Sequence, residues 1–255
     1  RIPMRAIQTL SLLVLISTVP SGFAQAEETA PVALWQGLET GMTPEQTVPI
    51  ITAVGGVKRV RPMAERRSEP GKRLDIDYVS GRIPIADMGF ELEPRFEKGH
   101  LSQLFLIAKN QCASNFAKIS GALTSGLRAK YEPLRESPKE ITEVDVLEAQ
   151  QTSRSTGEAV SLFLGYGASD LVVALHFRVK VEAPPPYPSG AGNFVYNLWK
   201  LLRSQYDKRK AECGGSGDER MDVILHYIPR PLYAASMSEA QDKDRAKKDA
   251  LANQL

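Results

Sequence analysis

The sequence predicts an α+β fold in which helices pack on antiparallel β-meanders. In residues 170–182, apolar side chains alternate with polar ones at every second position, which is typical of a strand with one buried face. Residues 97–100 (EKGH) lie between two further apolar runs and have the composition of a hairpin turn. Residues 193–211 show helical spacing instead, and we expect four of their large side chains to face the core: Phe194, Leu198, Leu201 and Leu202. Hairpins and helices mixed in this way along one chain are typical of α+β domains.

The predicted order of elements is α-βββ-α-βββ-α-β-α. The first helix begins at a capping box made by Thr43 and Gln46, has Pro44 at its first position, and ends at the glycine pair 55–56. Later helices are predicted at residues 113–131, at 193–211 and, after the capping pattern Ser236-x-x-Glu239, at the C-terminus. Strands are predicted at residues 74–78, 87–96, 101–108, 140–152, 158–166, 170–182 and 220–228.

A helix followed by three strands occurs twice in this order. The repetition indicates a tandem duplication with halves at residues 27–110 and 111–235, although the halves share no clear residue-level repeat. Together they form a predicted α+β domain at 27–235. Residues 236–255 then form a charged C-terminal helix or tail.

Residues 1–26 have the pattern of a cleavable signal peptide. Two arginines precede an apolar run from Leu10 to Ile16, and residues 24–26 (AQA) form the small-x-small site that signal peptidase requires. The run is shorter than the roughly 20 residues that span a bilayer. We therefore expect cleavage after Ala26 and a periplasmic or secreted protein with no transmembrane segment in its mature chain. An N-terminal membrane anchor is the alternative interpretation.

The charge balance argues against one large class of partner. The full chain has 32 Lys+Arg and 30 Asp+Glu, and the predicted signal peptide accounts for two of the arginines and for no acid. The predicted mature chain therefore carries no net charge. Its length of roughly 229 residues is enough for a sizeable core. Because the mature chain lacks the basic surplus of a nucleic-acid-binding protein, we expect no nucleic-acid partner.

The two cysteines, Cys112 and Cys213, both lie at predicted helix ends. An even number of cysteines in an exported chain predicts a disulfide, and two buried thiols are the alternative. A catalytic thiol is disfavoured because neither cysteine has a C-x-x-C partner or a neighbouring histidine.

The sequence lacks the common signatures of catalysis: H-E-x-x-H, G-x-S-x-G, G-x-x-x-x-G-K and S-x-x-K. Its three histidines are far apart along the chain: His100, His176 and His226. If the strands of His176 and His226 are neighbours, the two rings can face each other, but the simpler interpretation places them on a solvated face. We predict no catalytic residue, no metal site and no cofactor.

Two segments resemble a known family. The first is Trp35-x-Gly37-Leu38-x-x-Gly41-Met42-Thr43-Pro44-Glu45-Gln46, followed by Gly55-Gly56, and the second is residues 96–104 (FEKGHLSQL). They resemble the helix start and the following hairpin of the SmpA/OmlA-type outer-membrane assembly lipoproteins and of the related β-lactamase-inhibitor-protein-like fold. The resemblance implies a helical pair on a three- or four-stranded antiparallel sheet that serves protein–protein contact. The chain departs from this family at Pro49, in its basic segment at 58–73, and in having no lipid-attachment cysteine after the signal segment.

These observations favour a non-enzymatic, exported cell-envelope protein that acts through protein–protein interaction. The predicted contact surface combines the N-terminal segment with the basic segment: Trp35, Met42, Gln46, Arg59, Arg61, Arg66 and Arg67. The basic segment at 58–73 is also a candidate for contact with an anionic surface. The alternative function is a periplasmic small-ligand-binding protein or hydrolase with a pocket between the sheet and the 193–211 helix, where the candidate residues are Tyr196, Trp199 and His226.

Overall fold

The computed structural model describes residues 30–63, 73–79, 82–181, 184–190, 192–214 and 219–252. Its strands are β1 (Ala33–Trp35), β2 (Leu38–Glu39), β3 (Val57–Met63), β4 (Arg73–Tyr78), β5 (Ile83–Ile85), β6 (Met88–Glu97), β7 (His100–Cys112), β8 (Glu132–Pro133), β9 (Val160–Gly167), β10 (Leu171–Val181) and β11 (Glu219–Pro229). Its helices are α1 (Pro44–Thr52), α2 (Phe116–Arg128), α3 (Glu143–Thr156), α4 (Asn193–Glu212) and α5 (Arg230–Ala252). The predicted signal peptide lies outside the described residues.

The fold is built around a seven-stranded antiparallel sheet with the order β5-β6-β7-β11-β10-β9-β8. Strand β11 lies between β7 and β10 and so joins strands from both predicted halves in one sheet. Its Leu225 lies opposite Leu106 of β7 on one side and Leu175 of β10 on the other. The α+β class is confirmed, while the tandem duplication stays a prediction.

One face of this sheet forms the main hydrophobic core. Alternate residues of β10, including Leu175 and Phe177, are fully buried there, as the two-residue period predicts. The Phe116 ring of α2 meets the Phe177 ring edge-on, with 4.9 Å between their centroids. Further residues of α2 and α3 complete the cluster: Ile119, Leu123, Leu127, Val146 and Ala149. We call this surface the core face.

The strand predicted at 140–152 is wrong, because residues Glu143–Thr156 form α3. Thr142 and Asp145 make a capping box, in which each side chain accepts a hydrogen bond from the other residue's backbone N–H. The buried residues of the helix recur at helical spacing: Val146, Ala149, Gln150 and Ser153. The pattern Thr142-x-x-Asp145 is visible in the sequence and is the signal that the strand prediction missed.

Part of the predicted basic segment at 58–73 is also a strand. Strand β3 pairs with β4 in a separate two-stranded sheet, where Arg59 lies opposite Asp77 and Arg61 opposite Asp75. The guanidinium–carboxylate distances are 2.8 Å for the first pair and 2.5 Å for the second. Because cross-strand pairs of opposite charge stabilise β pairing, the arginines extend a strand where the sequence indicates a loop.

The C-terminal helix begins earlier than predicted. Helix α5 starts at Arg230, directly after β11, and Ser236 lies inside it with its hydroxyl donating to the Leu232 carbonyl oxygen. Ser236 therefore does not cap the helix. Leu232 and Tyr233 pack against a small second cluster that includes Val172 and Ile228, so apolar contact holds the first turns of α5 to the sheet.

The predicted disulfide between Cys112 and Cys213 is confirmed. It joins the end of β7 to the residue after α4, with a Cα–Cα distance of 5.4 Å and a sequence separation of 101. The bridge therefore fastens the C-terminal end of α4 to the sheet. None of the described helices combines the length and the apolar composition needed to cross a membrane.

Candidate functional site

The face of the sheet opposite the core carries large side chains at its centre. On β7, β11, β10 and β9 these are Phe105, Ile107, Ile224, His226, His176 and Phe163, and we call the six residues the ring face. All six are half-buried. The sheet register brings them together, because His226 lies opposite Phe105 and His176 lies opposite both Ile224 and Phe163.

The four rings form a continuous row across the four strands. Phe105 and His226 stack, with 4.0 Å between centroids and 14° between ring planes. The His176 centroid lies 6.3 Å from that of His226 and 6.0 Å from that of Phe163. His226 Nε2 is 2.7 Å from Oε1 of Gln103, the geometry of a ring N–H donating to an amide oxygen. Stacking and this hydrogen bond fix the His226 ring in place.

Burial keeps both histidines of the ring face neutral near pH 7. Loss of solvation, together with charge repulsion from the nearby His176 and Arg95, lowers the pKa of His226 to about 4. Loss of solvation lowers the pKa of His176 as well. The interpretation of the histidines as solvated side chains is therefore incomplete, since they are half-buried against aromatic rings.

Charged side chains border the ring face along β6. Glu93 lies opposite Phe105 and Glu91 lies opposite Ile107. The Arg95 guanidinium is 5.7 Å from the Phe105 ring centroid and pairs with Glu93. Glu91 binds two further cations, from Arg82 and Lys109, each at 2.6 Å. The arrangement is an apolar centre with a charged rim of both signs.

Both ends of this side of the sheet are covered. At one end lie Leu232 and Tyr233 of α5. At the other end Arg220, whose side chain is 8% exposed, donates to the backbone oxygens of Asn110, at 2.9 Å, and of Arg209, and lies 3.5 Å from the Glu212 carboxylate. Arg220 therefore joins the C-terminal end of α4 to the same side of β11 that carries His226.

The N-terminal part of the predicted contact surface is engaged within the fold. Trp35 and Met42 are partly buried and pack against the main core. The Gln46 side chain accepts a hydrogen bond from the Thr43 N–H at 2.8 Å, which completes the predicted capping box of α1. These three side chains contribute to folding more clearly than to contact with a partner.

The two segments that carry the family resemblance lie against each other. The Gly41 N–H donates to the Leu101 carbonyl oxygen at 2.9 Å, and the Leu101 N–H donates to the Met42 carbonyl oxygen at 2.7 Å. The His100 Nδ1 lies 2.8 Å from the Gly41 carbonyl oxygen. Backbone hydrogen bonds thus connect the start of α1 to the β6–β7 hairpin.

The basic part of the predicted contact surface is partly occupied by ion pairs. Arg59 binds Asp77, and this contact lowers the pKa of the Asp77 carboxyl. Arg61 binds Asp75, and this contact raises the pKa of the Arg61 guanidinium. Arg66 and Arg67 lie outside the described residues.

The predicted pocket residues fall into two clusters. Tyr196 and Trp199 of α4 stack with 5.9 Å between centroids, and Tyr187 meets the Trp199 ring edge-on at 5.2 Å. His226 belongs to the ring face instead. Among the described ring contacts, none joins His226 to Tyr196 or Trp199, so no observation favours the ligand pocket predicted between the sheet and α4.

The expectation that the apolar side chains of the 193–211 helix face the core is wrong. Phe194 is 81% exposed, and Leu198, Leu201 and Leu202 are 45%, 56% and 45% exposed. Of the α4 side chains only Tyr206 is buried. Helical spacing predicts that these residues share one side of the helix, but it does not determine what covers that side.

Open clefts occur elsewhere on the molecule. One of them, of about 910 Å³, lies between the end of α2, the segment after β8 and the start of α5. Two of its cations serve neighbouring loops, because Arg128 donates to the Lys139 carbonyl oxygen and Arg230 to the Ala168 carbonyl oxygen. These contacts assign both guanidinium groups to holding the fold.

Comparisons of the chain with protein-family models, with curated proteins and with solved structures found no match. Among the described residues, no group of three or more His, Cys, Asp or Glu side chains is arranged to hold a metal ion.

Proposed function

We propose that this protein is an exported, non-enzymatic cell-envelope protein that binds another protein through its ring face. The observation that carries the proposal is the apolar centre of a sheet surface that the core does not use. The outer face of an antiparallel sheet usually carries polar side chains. Six half-buried aliphatic, aromatic and neutral histidine side chains within a charged rim have instead the composition of a protein–protein interface.

Export to the periplasm or the medium is supported by two features of the chain. Residues 1–26 have the pattern of a signal peptide, and a Cys112–Cys213 disulfide persists most readily in an oxidising compartment. The disulfide also holds the C-terminal end of α4 to the end of β7.

The family resemblance supports a contact function but not the contact surface first predicted. Its two segments meet through Gly41, Met42 and Leu101, an arrangement that fits a shared helix-and-hairpin unit. The implied role of that family is protein–protein contact. Because Trp35, Met42 and Gln46 serve the fold, we place the contact on the ring face instead.

Site-directed photo-crosslinking in the producing cells tests this placement. A photoreactive phenylalanine analogue replaces Phe163 in the ring face or, as the control, Leu147 on α3, an apolar residue that is 56% exposed. We expect a discrete cross-linked product containing a second protein from position 163 and none from position 147. No product from position 163, the same products from both positions, or a product containing only this chain would each contradict the proposal.

A further inference from the structure

Helix α4 leaves a continuous apolar surface outside the fold. The exposed side chains are contributed by three successive turns: Phe194, Val195, Leu198, Leu201 and Leu202. Contiguous apolar patches of this kind mark interaction sites on proteins. The ring face lies on the sheet, so α4 presents a second surface that the proposed protein interaction does not explain.

Over the first three turns of α4 the apolar side chains occupy one sector of the helix, and further along Gln205, Arg209 and Glu212 fall in the same sector. At 3.6 residues per turn, the sector from Leu201 through Phe194 to Trp199 spans an arc of about 160°. Lys208 lies at one edge of this arc and Arg203 at the other, while residues such as Lys200 occupy the opposite side. An apolar arc bordered by cations is typical of helices that lie in a membrane interface.

Charge on α4 is strongly biased. The helix has five cationic residues, Lys200, Arg203, Lys208, Arg209 and Lys210, and two acidic ones, Asp207 and Glu212. Both acids are paired, Asp207 with Arg203 at 3.1 Å and Glu212 with Arg220 at 3.5 Å. A local surplus of positive charge therefore accompanies the apolar arc, although the predicted mature chain is neutral as a whole.

Three amphipathic rings lie beside the exposed turns. Tyr187 packs edge-on against Tyr196 and Trp199, with centroid distances of 6.4 and 5.2 Å, and is 65% exposed itself. The Trp199 Nε1–H donates to the Pro185 carbonyl oxygen at 3.1 Å, which fixes the indole ring along the helix. Tyrosine and tryptophan are the residues that favour the headgroup level of a bilayer.

We propose that α4 is an interfacial helix that binds the surface of an anionic phospholipid bilayer. Its apolar arc enters the boundary between headgroups and acyl chains, and its cations contact the lipid phosphates. The Cys112–Cys213 bridge and Arg220 hold its C-terminal end, so the folded domain presents the helix to the membrane. A second copy is a poorer occupant, because it would bring two cationic helices together.

Vesicle flotation of the disulfide-bonded protein, purified from the exported fraction, tests the proposal. The test variant is Leu198→Asn with Leu201→Asn, and the matched control is Val144→Asn with Leu147→Asn on α3, where the side chains are 62% and 56% exposed. All four positions are on the surface, so both variants are expected to fold. We expect binding to vesicles of phosphatidylglycerol and phosphatidylethanolamine that falls about tenfold in the α4 variant and is unchanged in the α3 variant.

Two further measurements test the roles of lipid charge and of insertion of the helix. Phosphatidylcholine vesicles or high salt should weaken binding about tenfold or more, because the lipid charge is removed or screened. In a Trp35→Phe background Trp199 is the remaining tryptophan, and its emission should shift to shorter wavelength on anionic vesicles.

No binding to anionic vesicles, an equal loss in the α3 variant, or self-association that the α4 substitutions abolish would each overturn the proposal. Cross-linking from Phe163 is expected to persist in the α4 variant, so failure here is distinct from failure of the ring-face interaction.

Discussion

The two faces of the seven-stranded sheet place adjacent residues of one strand in different surroundings. On β10, Phe177 points into the core face and is fully buried, whereas the neighbouring His176 points to the ring face and stays half-buried. Side chains of α2 and α3 pack on the core face. In the described part of the chain, the residues that cover the other side lie at its ends, at Tyr233 and at Arg220. One face is buried in the core, whereas the centre of the other stays half-exposed.

The largest effect is expected from truncating an aromatic ring on the core face. Phe177→Ala removes a fully buried side chain that contacts Phe116, so the free energy of unfolding should fall by about 3–5 kcal/mol. Phe163→Ala on the ring face should cost about half as much, because Phe163 already contacts solvent. Urea denaturation of the two variants measures the difference, and equal losses would contradict the division between the faces.

The disulfide fastens the C-terminal end of α4 to β7 and should rank next. Cys112→Ser with Cys213→Ser opens a loop whose ends are 101 residues apart, which should lower the free energy of unfolding by about 2–4 kcal/mol. Thermal unfolding with and without reductant gives the measurement, since reductant should affect only the parent protein. A parent protein that titrates with two free thiols would refute the bridge itself.

Acid should lower the free energy of unfolding through the two histidines of the ring face. The pKa of His226 is lowered to about 4 from an ordinary 6.5, and that of His176 is lowered too, so the unfolded chain binds these protons more readily than the folded one. Their stabilising contribution is complete above pH 6.5 and is lost as the pH falls from 6.5 towards about 4. For His226 alone the loss should reach about 2–3 kcal/mol.

Substitution of single histidines tests whether His226 causes the loss of stability in acid. His226→Phe keeps a ring beside Phe105 and should flatten the stability profile between pH 6.5 and about 4. His100→Gln, at the exposed β6–β7 hairpin, removes a histidine outside the ring face and is the control. An unaltered slope in the His226 variant would assign the acid sensitivity to other groups.

The sequence predicts the core face more fully than the ring face. Alternation in β10 identifies Leu175 and Phe177 as core residues, and the Thr43–Gln46 capping box locates α1. The ring face depends on sheet register, because His226 and Phe105 are 121 positions apart and are brought together only by the β7–β11 pairing. No local pattern specifies that pairing.

Two errors have a common physical origin. Helical spacing in α4 is real, but the same spacing describes a helix packed on a core and a helix with Leu198 and Leu201 exposed. Conversely, the Thr142–Asp145 capping box identifies α3, while the apolar residues around Val144 fit either a strand or a helix over a short range. Local pattern indicates conformation, whereas burial depends on partners that are distant in sequence.

Two adjacent residues of β11 should have opposite roles. Ile224 should contribute least to stability and strongly to binding, whereas Val223 should contribute to stability and little to binding. Val223→Thr places a hydroxyl among the apolar side chains of the fully buried core face and should cost about 1–3 kcal/mol. Ile224→Thr places the same hydroxyl on the half-buried ring face, where water can reach it, and should cost about 1 kcal/mol or less.

Binding should show the opposite order. Cross-linking from the photoreactive residue at position 163 should persist in Val223→Thr under conditions where that variant remains folded. In Ile224→Thr it should fall sharply, because Ile224 lies opposite His176, and His176 lies opposite Phe163 in the next strand. If both substitutions reduce cross-linking in proportion to their cost in stability, the ring face is only a weakly covered part of the fold, and the partner binds elsewhere.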